Sequence, residues 1–259
     1  MLGFFRYTSN HYRRITSICR SRVLFFREMS NINSQEKPLI FAPRSYQYDK
    51  GHLNEEEIGD DPLIQFKRWF EDAEEACKGS SLPPEAASFS TAHLPSGRVS
   101  SRIVLFKELD THGFIVFSNW NSSKKSRDFN TNRYGALTFF WPQLQRQVRV
   151  EGIMETVSRE ISESYFASRP RGSKIGAWAS AQSLELQTRQ QLDQKTKDFE
   201  KKFELLSDQD IPCPDYWGGV RLVPLETEFW QGRVSRLHDR LVFRRDKVDE
   251  QWKCSRLSP

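Results

Sequence analysis

The sequence predicts a mainly β protein with helical insertions, its strands closing into a barrel or sandwich rather than a doubly wound sheet. Two observations predict this. From Ala86 the apolar period becomes that of strands, in successive short runs separated by turn signals such as Pro95-Ser96-Gly97 and Asp110-Thr111-His112-Gly113. Helical spacing is confined to a few segments that interrupt these runs, and several strands at such spacing belong to barrels and sandwiches.

In chain order, residues 30–60 are polar and acidic with little periodicity, and predict a mostly irregular arm. Asp61-Pro62 then offers an N-cap followed by proline at the first helical position. Leu63, Phe66, Phe70, Ala73 and Cys77 step by three and four, so a helix to about residue 78 carries one apolar face, with Trp69 at its edge. Strands are predicted over 87–93, 99–106, 114–119, 134–141 and 145–157. Helices are predicted over 123–130, 159–168 and 187–206, the last with Leu192, Thr196, Phe199, Phe203 and Leu206 at helical spacing. Trp217-Gly218-Gly219 reopens the sheet, and 227–232 and 237–245 read as two strands around a connection containing glycine.

The chain has 259 residues, 37% of them hydrophobic and 13% aromatic, which suits a globular core. A net charge of +5 raises the question of nucleic acid, but the excess is local. Residues 1–27 hold six arginines, no lysine and no acid, leaving 33 basic against 34 acidic residues in 28–259. A nucleic-acid-binding body is therefore not expected. The Arg- and Ser-rich residues 1–28 fit a mitochondrial presequence or a disordered or isoform-specific tail, since Met29 can itself serve as a start. The expected location is accordingly mitochondrial or cytoplasmic. No run approaches the roughly 18 apolar residues of a membrane span, so no membrane partner is expected. Cys19, Cys77, Cys213 and Cys254 are scattered, with no C-x-x-C pair and no metal-ligand spacing.

Several residues have chemistry that asks for a ligand. Arg236, His238 and Arg240 alternate, and in an extended run all three leave one face, a repulsive set unless something anionic or electron-rich covers it. Ser122-Ser123-Lys124-Lys125 opens a short helix, whose free N–H groups favour an anion. Tyr165 and Arg169 are four apart on one helical face, Pro170 ends the helix, and Gly172-Ser173 can turn a hydroxyl back towards them. Such donors suit a phosphate dianion. Arg102-Ile103-Val104-Leu105-Phe106-Lys107 is a strand with a cation at each end, and Gln147 puts an amide on a half-exposed strand. Singly, each has a bland alternative: a solvated strand end, a surface helix, or a central strand with charged termini.

The string Glu228-Phe229-Trp230-Gln231-Gly232, then Arg236-Leu237-His238-Asp239-Arg240, with the end Arg256-Leu257-Ser258-Pro259, resembles the C-terminal signature of the pyridoxine/pyridoxamine 5'-phosphate oxidases. Further blocks agree in order from about Arg102. The resemblance implies an FMN-binding split β-barrel over residues 61–259, preceded by an arm over 29–60 in which Arg44-Ser45-Tyr46 resembles the segment folded over the substrate. It implies that FMN is held by Arg102, Ile103, Val104, Leu105, Phe117, Ser118, Lys124, Lys125, Gln147, Gln182, Ser183, Trp230 and Arg240. At Lys124 the family usually has arginine, so the bidentate fork is missing there. Substrate phosphate would be bound by Lys107, Tyr165, Arg169 and Ser173. Arg236, Leu237 and His238 would cover the reacting end, with Arg236 and His238 catalytic. The implied reaction oxidises pyridoxine 5'-phosphate or pyridoxamine 5'-phosphate to pyridoxal 5'-phosphate, with oxygen reduced to hydrogen peroxide, in a homodimer with the flavin at the subunit interface.

Overall fold

In the computed structural model, residues 46–259 are described, and Gln47–Pro259 form one unit. The presequence-like residues 1–28, and Arg44 and Ser45 of the arm, lie outside the described residues. Residues 47–60 contain only a three-residue 3-10 turn, Glu55–Glu57.

Helix α1, Pro62–Ala76, starts as its sequence dictates: Asp61 accepts from the Leu63 N–H and Pro62 occupies the first turn. Phe66 is fully buried and meets the rings of Phe106, Phe114 and Phe139 at centroid distances of 5.6, 4.7 and 4.9 Å. Trp69, expected at the edge of the apolar face, is instead core, set edge-on to Phe229. Its face is broader than a strict three-four spacing allows because the Arg146 guanidinium covers the outer side of the indole at 4.4 Å.

The strands are β1 (Ala86–His93), β2 (Arg98–Leu105), β3 (Glu108–Leu109), β4 (Phe114–Asn119), β5 (Tyr134–Trp141), β6 (Arg146–Thr156), β7 (Trp217–Gln231), β8 (Asp239–Arg244) and β9 (Lys253–Arg256). They form one antiparallel sheet in the order β2-β1-β5-β6-β7-β4-β3, with β8 on β7 and β9 on β8. The architecture is the mainly β split barrel with helical insertions that the sequence implied.

Its organising strand is β7. One edge of β7 pairs with β6 from Val220 to Gln231, while the other pairs first with β4, up to Leu222, and then with β8, from Glu226. Pro224 sits in the gap between those partners, where its missing N–H breaks no ladder bond. A bulge opposite Glu151 and Gly152 bends the strand there. Gly152 is obligatory at this bend, because a Cβ would lie 2.0 Å from the Val223 carbonyl oxygen.

The helical insertions are α2 (Lys124–Thr131), α3 (Arg159–Ser168), α4 (Arg171–Ala179) and α5 (Arg189–Lys202). Helix α4 is absent from the sequence-based prediction, which has Pro170 ending a helix and Gly172-Ser173 forming a turn. Pro170 does follow the end of α3, but it also caps the start of α4, a use its fixed φ permits. Helix α5 is shorter than the predicted 187–206 and buries none of its own residues.

Candidate active site

A cavity of about 540 Å³ opens between β2, β4, α3 and α4, a size suited to a small-molecule ligand. Four cations reach it: Arg102 from within β2, Lys107 from just beyond its end, Lys125 from α2, and Arg169 from the end of α3. Ile103, Val104, Leu105, Phe117, Ser118, Tyr165, Ser173 and Gln182 line it as well.

The aromatic wall follows from strand pairing. Phe117 on β4 faces Gly219 on β7, and a Cβ at Gly219 would lie 2.9 Å from the Phe117 ring. With that space open, Phe117 stacks on Tyr165 at 4.0 Å and on Trp217 at 5.7 Å. Arg169 lies over the Trp217 ring at 4.6 Å. Helix α3 stops at Ser168, so Arg169 is an extended cap residue and does not share a helical face with Tyr165. Ser173 lies within α4 rather than in a turn. The three still converge on one cavity, because α3 and α4 meet at Pro170.

The cations are poorly compensated. The Lys125 side chain is 6% exposed, and its ammonium donates to Gln182 Oε1 at 2.7 Å. Burial, with Arg102 nearby, pulls its pKa down to about 8. Burial also lowers Arg102, against the pull of Asp128, and lowers Arg169, against Tyr165 and Cys213. Arg169 Nη1 is buried with no hydrogen-bond partner among the described residues. An orphaned guanidinium nitrogen beside a lysine without a carboxylate partner is the donor set an anionic ligand completes. Lys107 has Glu85 at 3.2 Å, both partly exposed.

Lys124 and Ser183 are not in the cavity lining. The partly exposed Lys124 ammonium is bonded to Asp128 at 2.6 Å within α2. The pair is the i,i+4 contact a helix surface favours. Ser183, at φ 68°, accepts from the Lys124 N–H at 3.1 Å and so caps the start of α2.

Gln147, Trp230 and Arg240 sit elsewhere, paired in register across β6, β7 and β8, so their side chains share a face. Arg240 grips the buried Glu228 with both ends of its fork, at 2.9 and 3.0 Å. Arg236, His238 and Arg240 do not share an extended strand. Val234–Arg236 form a 3-10 turn, Ser235 and Arg236 have φ of 56° and 61°, and β8 begins only at Asp239. The period-two spacing was real in the sequence, but a tight turn occupies the residues that carry it. Arg236 and Leu237 are left exposed. His238 packs 4.5 Å from Trp230, and its Nδ1 accepts from the Arg233 N–H at 3.0 Å. Burial and Arg236 lower its pKa, with Asp239 opposing, which favours the neutral ring, and in that form the Arg233 bond leaves the proton on Nε2.

Tyr48 completes this second cluster, edge-on to Trp230 at 5.1 Å and to His238 at 5.3 Å. Sequence reasoning did not single it out, naming only Arg44-Ser45-Tyr46 in the arm. The available signal was Gly232, where a Cβ would lie 2.5 Å from the Tyr48 ring.

The two clusters lie towards opposite ends of β7. Trp217 lines the cavity and Trp230 belongs to the second cluster, roughly 40 Å away along the strand at about 3.3 Å per residue.

Comparison with known proteins agrees over most of the chain. Residues 73–203 match the pyridoxamine 5'-phosphate oxidase family model, and residues 217–259 match the pyridoxine 5'-phosphate oxidase C-terminal dimerisation region. Pyridoxamine 5'-phosphate oxidase of Saccharomyces cerevisiae is 58% identical over 224 residues, covering 86% of this chain and 96% of the yeast protein. Pyridoxine/pyridoxamine 5'-phosphate oxidase of Cupriavidus taiwanensis is 48% identical over 213 residues, covering 82% and 95%. Among solved structures, PhzG of Burkholderia lata, in complex with tetrahydrophenazine-1-carboxylic acid, superposes with a TM-score of 0.69 at 26% identity, covering 79% of this chain and 95% of PhzG. The chain belongs to the pyridoxamine 5'-phosphate oxidase family.

Proposed function

We propose that the protein oxidises pyridoxine 5'-phosphate and pyridoxamine 5'-phosphate to pyridoxal 5'-phosphate, using FMN and passing electrons to oxygen. The carrying observation is the single cavity in which Arg102, Lys107, Lys125 and Arg169 converge, with a buried Arg169 nitrogen still unbonded. Two anionic groups account for these cations, of which only Lys107 has a carboxylate partner among the described residues, better than one.

Arg102 and Lys125, with Gln182 and Ser118, would hold FMN. Lys107, Tyr165, Arg169 and Ser173 would hold the substrate phosphate. When bound, FMN would supply the redox chemistry of a two-electron oxidation at the substrate's 4'-carbon, with oxygen as the final acceptor. The chain's own work is to position and to exclude water. Arg236 supplies a fixed positive charge near the reacting end. Neutral His238 offers Nε2–H as a donor, held in that tautomer by the Arg233 backbone, and so orients the hydroxyl or amine rather than adding a second cation.

Because Trp230, Arg236, His238 and Arg240 lie far along β7 from the cavity, a second copy is needed to bring them over it. The match of residues 217–259 to a dimerisation region supports a homodimer in which each cavity is covered by its partner's second cluster.

The test is a visible absorption spectrum of the purified protein, followed by anaerobic addition of pyridoxine 5'-phosphate. A flavin band that bleaches on addition supports the proposal. A protein without the band, or a band that bleaches only with reduced nicotinamide, overturns it.

A further inference from the structure

Arg102 reaches the cavity from β2, a partly exposed strand at the sheet edge that does little by itself to fix a long side chain. Its guanidinium is nevertheless held at several points. Nη1 donates to the Phe89 carbonyl and to Thr91 Oγ1, both at 2.9 Å, and Nη2 donates to Ser100 Oγ at 2.6 Å.

A hydroxyl accepts reliably from a guanidinium only if its own proton is committed elsewhere. Both protons are committed to one group. Thr91 Oγ1 and Ser100 Oγ each lie 2.7 Å from Asp128 Oδ2. Asp128, on α2, is completely buried, and its Oδ1 accepts from Lys124. Burial would raise its pKa, but the bonds from Lys124, Thr91 and Ser100 outweigh this and hold it below the ordinary carboxylate range. The carboxylate therefore fixes the direction of both hydroxyl dipoles without itself bonding Arg102. Direct pairing would neutralise the arginine, whereas the relay aims it and leaves its charge for a ligand.

We infer that Asp128 is a positioning residue for the flavin phosphate, acting through Thr91 and Ser100 to hold the Arg102 guanidinium towards the cavity. This rests on the reading of the cavity as an FMN site. Asp128→Asn is the informative change: it keeps the shape but replaces one acceptor oxygen with an amide donor. Both hydroxyls bond Oδ2, so with the amide oxygen kept by the Lys124 ammonium the amide nitrogen takes the place of Oδ2, turns both hydroxyl protons back towards Arg102 and breaks the fork.

The experiment titrates flavin-free protein with FMN, and separately with riboflavin, following quenching of flavin fluorescence. It compares wild type, Asp128→Asn and Asp110→Asn, with thermal melts of each flavin-free form. Asp110, in the turn between β3 and β4, pairs with Arg221 on β7 and does not line the cavity, so its variant reports loss of a structural ion pair. Asp128→Asn should weaken FMN binding roughly ten- to a hundredfold, the usual range for removing a supporting second-layer partner, and weaken riboflavin by less than about threefold. Asp110→Asn should lower the melt and leave both affinities near wild type. If Asp128→Asn does not fold, Ser100→Ala removes one link, and roughly tenfold weaker FMN binding is then expected. FMN affinity within about twofold of wild type in the folded variant, or equal losses for FMN and riboflavin, overturns the inference. Wild-type protein that binds no FMN instead sinks the flavin reading, and the inference with it.

Discussion

The cavity and the Trp230 cluster are both rich in arginine, yet they treat positive charge in opposite ways. In the cavity, Arg102, Lys125 and Arg169 are bonded to hydroxyls, an amide and carbonyl groups, or in part to nothing. In the second cluster each arginine near His238 meets a carboxylate: Arg240 with Glu228, Arg233 with Asp239, and Arg256 with both Glu55 and Asp239. Unspent charge marks a surface built for a ligand, and spent charge marks one built to keep its own shape. The exception is Arg236, exposed at the rim with a left-handed backbone, and it is the residue we assign to the reacting end.

The contrast can be broken in several ways. The largest effect is expected from Arg169→Met, which should raise KM for pyridoxamine 5'-phosphate roughly a hundredfold, the worth of a buried charge-assisted bond, while leaving FMN affinity unchanged. Steady-state kinetics at saturating FMN measures it, and an unchanged KM would remove Arg169 from the phosphate pocket. Arg236→Leu should lower kcat roughly thirtyfold with normal flavin content. Single-turnover flavin reduction at the wild-type rate would show that Arg236 has no part in the chemistry. Mixing these two chains sharpens the comparison, because a heterodimer then has one intact composite site and one doubly altered site. Random reassortment should restore about a quarter of wild-type activity, and no recovery would mean that both clusters serve the same chain.

Smaller effects test the spent charges. Glu228→Gln leaves Arg240 with a neutral partner over a buried position, and urea denaturation should show a loss of about 2 kcal/mol, at the modest end because Arg240 is partly exposed. The smallest concerns pH. Lys125 has a folded pKa near 8, below its ordinary 10.5. Its charge disappears as pH rises through 8, so FMN affinity of the flavin-free protein should fall severalfold from pH 7 to 9. Lys125→Met should abolish that slope. The unfolded chain holds the proton more tightly, so this lysine opposes folding at neutral pH. Its contribution to stability rises with pH between about 8 and 10.5.

Much of the barrel was legible because its strands alternate and its turns are punctuated by Pro, Gly and Asp. Helix α1 was legible from Asp61-Pro62 and the spacing of Phe66 and Ala73. Helix α4 was not, since Pro170 and Gly172 look like punctuation when local signals are all that is available, and its stability comes from packing Lys174 and Ile175 inward. The cavity's cations were identifiable from the resemblance. The direction of Lys124 was not, because it depends on a carboxylate four residues on. Nor was the left-handed turn at Ser235 and Arg236, since neither residue is one that favours that backbone. Tyr48 and Asp128 were missed for a related reason: each acts through contacts 28 or more residues distant in sequence, with Trp230 and His238 or with Ser100 and Thr91.

Strand β7 is braced along one edge by β6 and on the other by β4 and then β8, so it behaves as a stiff ruler. In the proposed homodimer, the separation between what a protomer receives and what it lends is counted in peptide units. A two-residue insertion beyond Pro224 would keep every side chain on its proper side yet slide the lent end by about 6.6 Å.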